Sequence, residues 1–342
     1  MRRALAGALL LLLLLGGGLL YLAVDLWRSV HAPLPVGPQG VVVELPRGGS
    51  LRGLARRLET LGVLERPAYL VWWGRWRGHA GRLQAGEYLI EPGTSAAAFL
   101  EQVVSGRVRM HRLTLVEGWT FAQALAAVEA HPALAHTLAG LSPEEVMARL
   151  GRPGEHPEGR FLPDTYRFPK GTTDLAFLER AYRAMEAFLR EAWARRAPGL
   201  PYRDPYEALI LASIVEKETA LPEERPLVAG VLVRRLQRGM RLQADPTVIY
   251  GLGPRFDGNL RRRDLLADGP YNTYRRKGLP PTPIALPGRA AIEAALHPAP
   301  GDALYYVARG DGSHVFSATL AEHQEAVRRY QLGRKAQERT AP

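Results

Sequence analysis

The stretch "LASIVEKETALPEERP", Leu211 to Pro226, sets three charged residues, Glu216, Lys217 and Glu218, at the end of an apolar run. Burying a charge is costly, so such a triplet asks for a chemical reason. At about 100° per residue on a helix, Glu216 and Glu218 point roughly 200° apart and cannot work as a paired dyad. Their settings differ. Glu218 lies over Leu211, Ile214 and Val215, whereas Glu216 lies beside Ala212 and nearer the hydroxyl of Ser213. A carboxyl pressed against aliphatic side chains loses hydration of its charged form. Its pKa rises and a proton stays available near neutrality, as a general acid requires. The competing reading pairs both glutamates with arginines such as Arg225 or Arg234, holding helices together. Helix geometry alone leaves the two readings even.

A second set of capable groups lies in "RLQADPTVIYGLG", which holds Gln243, Asp245, Thr247 and Tyr250, and in "YNTY", which holds Asn272 and Tyr274. Amide, carboxylate, hydroxyl and phenol spaced by apolar residues suit the gripping of a sugar. Taken singly, each of these residues would as readily satisfy its own loop backbone. Pro246 favours an extended or turn geometry at Asp245. Other chemistries lack their motifs: there is no His-Glu-x-x-His, no Walker loop and no Gly-x-Ser-x-Gly elbow. His131 and His136 are five apart, off a shared helical face, and "GLGPRFDG" has no following Lys-Ser/Thr.

These residues need a scaffold, and the chain supplies one. Asp204 and Pro205 open the helix that ends in the charged triplet, with Glu207 at the capping-box position. Apolar residues fall on every side of it, the pattern of a helix buried in a large domain. The 342 residues suffice for two or three domains, and the formal charge of +11 comes almost wholly from arginine, since Lys170, Lys217, Lys277 and Lys335 are the only lysines. Arginine suits flat anions, but a solvated charged face explains the excess as well. With no cysteine anywhere, disulfides, thiolate metal sites and cysteine nucleophiles are excluded.

The amino terminus carries Arg2 and Arg3 and then an apolar run from Ala4 to Val24, about 30 Å as a helix, one bilayer core. Tyr21 and Trp27 sit where an interfacial aromatic belt belongs. The arginines favour a cytoplasmic amino end and an extracytoplasmic remainder. We therefore expect an uncleaved single-pass anchor rather than a signal peptide, whose apolar region is shorter and ends in a small-x-small site. Residues 1–3 form the cytoplasmic end, 4–27 the transmembrane helix and 28–40 a proline-rich tether without periodicity.

Three segments then read as extended run, turn and amphipathic helix, with Ser50, Ser95 and Thr120 as caps. The first adds a second apolar helix, "PAYLVWWGRW", before the strand "GEYLI". This strand, helix, helix, strand order over 41–106 is similar to the LysM carbohydrate-binding module. Trp72, Trp73 and Trp76 could stack on sugars, although tryptophans on an apolar helix are more often core. Residues 107–157 read as a second small module or connector, and 158–342 as a larger mixed α/β domain. It closes with a hairpin about Gly310 to Ser313, a helix capped near Thr319 and a frayed end. The fold class expected is α+β.

The strings "ASIVEKET", "ERPLVAGVLVRRLQRGMRLQADPTVIYGLG", "YNTYRRKGLPPTPIALPG" and "EGRFLPDTYRF" together resemble the endolytic murein transglycosylase family, also called MltG or YceG-like. The likeness runs from the apolar amino terminus to the final helix and is densest across Ala212 to Gly288. It implies a single-pass inner-membrane lyase that faces the cell wall, cuts the MurNAc-GlcNAc β-1,4 bond inside glycan strands and leaves a 1,6-anhydroMurNAc end, so terminating nascent strands. The family's catalytic glutamate falls on Glu218, and Gln243, Asp245, Thr247, Tyr250, Asn272 and Tyr274 lie in the segments most like its cleft. No metal and no cofactor is implied. The partners implied are peptidoglycan strands, the cytoplasmic membrane and, for regulation, peptidoglycan synthases (penicillin-binding proteins). The alternative is a non-catalytic, membrane-anchored murein-binding scaffold for such synthases. Nucleic-acid binding lacks an interleaved aromatic-basic motif and conflicts with the outward topology.

Overall fold

The computed structural model describes residues 2–332; Met1 and 333–342, including the frayed end expected there, lie outside them. Contacts divide the described residues into two units, those up to 111 with 167–171, and 112–166 with those from 172 onward. Both mix helices and short strands, as the expected α+β class requires.

The first unit begins with α1 (Arg2–His31), a continuous 30-residue helix. Its stretch from Leu5 to His31 is long and apolar enough to cross a membrane. β1 (Val41–Leu45), α2 (Leu51–Thr60), α3 (Pro67–Trp76) and β2 (Gly86–Ile90) come next in the expected strand, helix, helix, strand order, and α4 (Ala96–Val104) completes the layer. β1 pairs antiparallel with β2, Val43 opposite Tyr88. Alternation along β1 buries Val43 and Leu45 while Val42 and Glu44 face out. Ser50 and Ser95 cap α2 and α4, each accepting an N–H bond from three residues on. The core gathers Leu54, Leu58, Leu70, Tyr88, Phe99 and Leu100.

Two expectations for this unit need correcting. The tether is not free: Arg28 to His31 continue α1, Val30 and Leu34 are buried, and the Leu34 N–H donates to the Thr94 carbonyl at 2.8 Å. A proline-rich string is tied down once an apolar residue within it finds a core. Nor are all three tryptophans core. Trp73 packs partly against the apolar cluster, whereas Trp72 and Trp76 are 55% and 75% exposed.

The chain crosses between the units in β3 (Met110–Thr114) and β5 (Thr165–Pro169), which pair with each other. The expected boundary at residue 157 has no counterpart in the contacts, for residues 112–157 cluster with the rest of the second unit. That unit holds α5 (Phe121–Glu129), β4 (Leu134–Ala135), α6 (Pro143–Arg149), β6 (Thr172–Thr173), α7 (Asp174–Ala194), α8 (Pro205–Glu218), α9 (Arg225–Gln237), α10 (Asp245–Leu252), α11 (Arg262–Leu266) and α12 (Arg289–Leu296). β7 (Tyr305–Ala308) and β8 (His314–Ser317) form the expected hairpin, followed by α13 (Leu320–Val327) with Thr319 as its cap.

Every residue of α8 from Ala208 to Val215 is buried, packed by α7, α9, α10 and α12. Asp204 caps it as expected, accepting from the Glu207 N–H at 3.0 Å. The reciprocal half of the capping box is displaced by one residue, because the Glu207 carboxylate takes the Arg203 N–H instead.

Close packing around this helix rests partly on Gly230 of α9. A Cβ there would lie 2.6 Å from the Ala299 carbonyl oxygen. That carbonyl cannot retreat freely, since it accepts from Arg234 at 3.0 Å and the N–H of the same residue donates to the Pro226 carbonyl at 2.8 Å. Gly230→Ala should therefore destabilise the chain by about 1–3 kcal/mol, the usual cost of overpacking, read as a lower denaturant midpoint. An unchanged midpoint would show that the loop yields without loss.

Candidate active site

Glu218 is the last residue of α8, and Thr219 leaves the helix at φ −144°, ψ 135°. The carboxyl therefore sits at the negative end of a helix dipole, which disfavours its ionised form. Oε1 is buried and has no hydrogen-bond partner among the described residues. Burial, with the nearby negative charge of Asp245 adding to it, pushes the Glu218 pKa up to about 8. The Tyr306 phenol, as a hydrogen-bond donor, and the Arg235 charge pull the other way. The residue as a whole keeps some exposure, and it opens into a cleft of about 440 Å³ also lined by Arg235, Gln243, Asp245, Tyr274, Tyr306 and His314. A protonated carboxyl at neutral pH, facing space large enough for a ligand, has the properties of a proton donor.

Of the six expected sugar-gripping residues, three line this cleft. Gln243 occupies the left-handed region at φ 53°, the only non-glycine among the described residues to do so. It is held there by its N–H to the Thr273 carbonyl and by Arg235, which donates to its side-chain oxygen at 3.3 Å. Strained backbone of this kind persists where the surroundings over-determine it. Asp245 opens α10, where Pro246 fits the first turn. This corrects the expected extended or turn geometry: a proline costs a helix no hydrogen bond in its first turn, where the N–H groups have no intrahelical partner. Its Oδ1 accepts a short bond of 2.5 Å from the Tyr274 hydroxyl.

The other three turn inward. Thr247 is fully buried, its hydroxyl donating to the Ala244 carbonyl at 2.7 Å and lying 2.9 Å from the Thr273 hydroxyl. The Asn272 amide nitrogen donates to the carbonyls of Asp264, Leu265 and Ala267, while its oxygen accepts the Tyr274 N–H. The Tyr250 hydroxyl donates to Glu158 at 3.0 Å. These side chains spend their hydrogen bonds on the protein itself, and none of the three lines the cleft that Glu218 opens into.

The charged triplet divides its roles in the same way. Glu216 accepts the Gly288 N–H at 2.9 Å and pairs with Arg225 at 3.5 Å, the helix-holding arrangement that the sequence left open. Burial raises its pKa too. Lys217 donates to the Gly118 carbonyl at 3.2 Å. Arg234 is not a glutamate partner; it bonds the carbonyls of Ala299 and Ala303.

Several residues of the site escape a reading of the sequence. Tyr306 and His314 come from the β7–β8 hairpin, whose "LYYVARGDGSHVF" shows only its turn. Glu224 is buried and ties the end of α8 to that hairpin: it accepts from the Thr219 hydroxyl at 3.2 Å, beside the acid, and meets His314 Nδ1 at 2.7 Å. His314 favours the ionised form of Glu224. Arg235 is buried by donating to the carbonyls of Leu304 and Leu242. Glu158, whose pKa burial raises to about 7, also accepts the Phe121 N–H at 2.8 Å. A glutamate in "PEERP" or "PEGRF" carries no local sign of burial, so no sequence signal distinguishes these residues.

A profile of the YceG-like family matches residues 43–329. An endolytic murein transglycosylase of Bacillus subtilis is 31% identical over 312 residues, 85% of this chain and 84% of the relative. One from Streptococcus pneumoniae is 26% identical, over 83% of this chain and 57% of its own longer length. A crystal structure of a YceG-like protein from Listeria monocytogenes superposes with a TM-score of 0.55 at 28% identity, covering 84% of this chain and 99% of that one. With the match spanning both the module before the site and the helix that carries Glu218, the chain belongs to the YceG-like family.

Proposed function

We propose that this protein is a peptidoglycan lytic transglycosylase in which Glu218 is the acid and then the base. The observation that carries the reading is the Glu218 carboxyl itself, desolvated, unpartnered at Oε1 and open to the cleft. The names of the relatives supply the substrate class. Protonated Glu218 gives its proton to the oxygen bridging N-acetylmuramic acid and N-acetylglucosamine. The GlcNAc side leaves with a 4-hydroxyl. The muramyl 6-hydroxyl attacks the anomeric carbon, and its proton returns to the Glu218 carboxylate, so atoms and charge balance with a 1,6-anhydro end as product. Two-carboxylate hydrolases divide these duties between two residues; here one carboxyl performs both in turn.

The neighbours of Glu218 fit that cycle. Asp245 raises the pKa of the resting acid and is placed to stabilise positive charge at the anomeric carbon. Tyr306 supports the transient carboxylate. Gln243 and Tyr274 are the further substrate contacts in this reading. The apolar α1 anchors the chain in the cytoplasmic membrane with the catalytic unit on the extracytoplasmic side, and the LysM-like order of 41–106 is a candidate glycan contact. Strand termination results if cleavage acts on nascent glycan.

Three measurements test the proposal. Glu218→Gln should lower the release of anhydro-ended fragments, scored by mass spectrometry, by at least about 10²-fold, the lower range of general acid catalysis. Retention of more than roughly a hundredth of turnover would remove Glu218 from the role. In the wild type, turnover should fall as pH rises through about 8. The same group ties stability to pH: from about 4.5 to 8 the folded chain keeps a proton that the unfolded chain releases, so stability declines as pH rises across that window. Glu218→Gln should remove that part of the slope and raise Tm most at pH 8 and above.

The division of the cleft gives a further test. Thr247→Ala and Asn272→Ala should cost stability by about 1–3 kcal/mol each, through stranded partners. Gln243→Ala and Tyr274→Phe should instead weaken cleavage with Tm nearly unchanged. The opposite pattern would place the substrate on the other three residues.

A further inference from the structure

The first unit holds a groove with no role in the chemistry above. Arg52 and Arg56 of α2 and Arg75 of α3 line about 280 Å³ together with Pro67, Ala68 and Trp72. Glu59 is the one acid in the lining, and none of the three arginines forms an ion pair among the described residues. Trp72 and Trp76 are exposed on the same helix, Trp72 stacked on Tyr69 at 5.8 Å and Trp76 against Trp73 at 5.2 Å. Exposed aromatic rings beside unpaired guanidinium groups are suited to the boundary between lipid and water.

The height of this surface is set by α1. Asp25, the first residue past the apolar run, accepts from the Tyr69 hydroxyl at 2.8 Å and pairs with Arg66. Six residues on, His31 meets the Trp73 ring edge-on at 4.9 Å and stacks on Trp27 at 4.6 Å. Residue 25 matches residues 66 and 69, and residue 31 matches 73, so α3 rises beside α1 in the same sense. At about 1.5 Å per residue the whole contact covers roughly 9 Å above the end of the apolar run. The polar interface of a bilayer is about 5–8 Å deep on each side. Tyr69 and Trp72 fall within it, and side chains tilt toward the helix amino terminus, which carries the Trp76 ring back toward the same level. There is no slack to lift the unit away, because Leu34 is buried and hydrogen-bonded to Thr94.

We propose that the α2–α3 groove, with Trp72 and Trp76 beside it, docks on anionic phospholipid headgroups of the same membrane that α1 spans, the arginines taking the phosphates and the aromatic rings lying at the headgroup level. This rests on the anchor reading of α1. Guanidinium forks match phosphate oxygens bidentately, and long arginine stems reach a headgroup while covering apolar surface. The consequence is that the first unit lies on the membrane rather than standing off it.

The absence of cysteine makes the test clean, since one introduced thiol is labelled uniquely. The full chain, placed in nanodiscs containing phosphatidylglycerol, would carry an NBD fluorophore at Ala68→Cys in the groove, at Val42→Cys on the outer side of β1, or at Leu12→Cys in α1. Doxyl-labelled lipids, with the spin label near the headgroup or at the chain end, serve as quenchers. The expected result is strong quenching at position 68 by the shallow label, several-fold more than at 42, with position 12 quenched by the deep label. The quenching at 68 should fall several-fold in the Arg52→Gln, Arg56→Gln, Arg75→Gln variant and in discs of phosphatidylcholine alone. Deep quenching at 12 with none at 68 overturns the proposal and leaves the anchor standing; no quenching at either defeats the anchor reading and the proposal with it. Quenching at 68 that ignores both lipid charge and the arginines overturns the headgroup site. A spectral shift at 68 on adding a chitin oligosaccharide, without lipid quenching, reassigns the groove to glycan.

Discussion

The desolvation of one carboxyl is the constraint on which the candidate site in the second unit depends. A glutamate in water ionises well below neutrality, and holding Glu218 protonated near pH 7 means removing water from it while supplying too few hydrogen bonds to offset the loss. The fold does this by ending a wholly buried helix on that residue. The helix carbonyls, the aliphatic packing of α8 and the Asp245 charge all oppose ionisation, while Tyr306 and Arg235 favour the anion and limit the rise. In the proposed role of Glu218, an environment with only the first set of forces would hold the proton too tightly to deliver it.

Such a site needs a wall that does not move, and interior polar bonds supply it. The Thr247 and Thr273 hydroxyls clasp each other over the Ala244 carbonyl, Asn272 gathers three carbonyls at the end of α11, and Tyr250 reaches Glu158, which itself takes the first N–H of α5. Each bond is worth only about 1 kcal/mol net, yet each would cost more if one partner were left stranded in the interior. The strained φ of Gln243 is held in the same web, through Thr273 and Arg235. Side chains that face the cleft and side chains that bond behind it are thus adjacent in sequence.

In the first unit the governing force is different. Burial of Val30 and Leu34 and the polar contacts of Asp25 make α1 part of the module's own packing, so the apolar helix and the βααβ layer form a single body rather than a domain on a string. Proline content suggested a free tether, but backbone stiffness says nothing about whether a nearby apolar side chain has a core to enter.

Much of this protein was legible in its residues. Periodicity and caps placed α2, α4, α5 and α8 at Ser50, Ser95, Thr120 and Asp204, because an N-cap is a local bond between residues three apart. The aliphatic neighbours of Glu218 at one helical turn marked it as the more desolvated of the two glutamates for the same reason. The sequence could not separate Gln243, Asp245 and Tyr274 from Thr247, Tyr250 and Asn272, since all six are polar groups in two short strings and their difference lies in which way each points. Nor could it bring Tyr306 and His314, about ninety residues downstream, to the end of α8. Those placements depend on contacts between distant segments, and only the packed tertiary structure decides where a side chain finds its partner and where it is left facing a cleft.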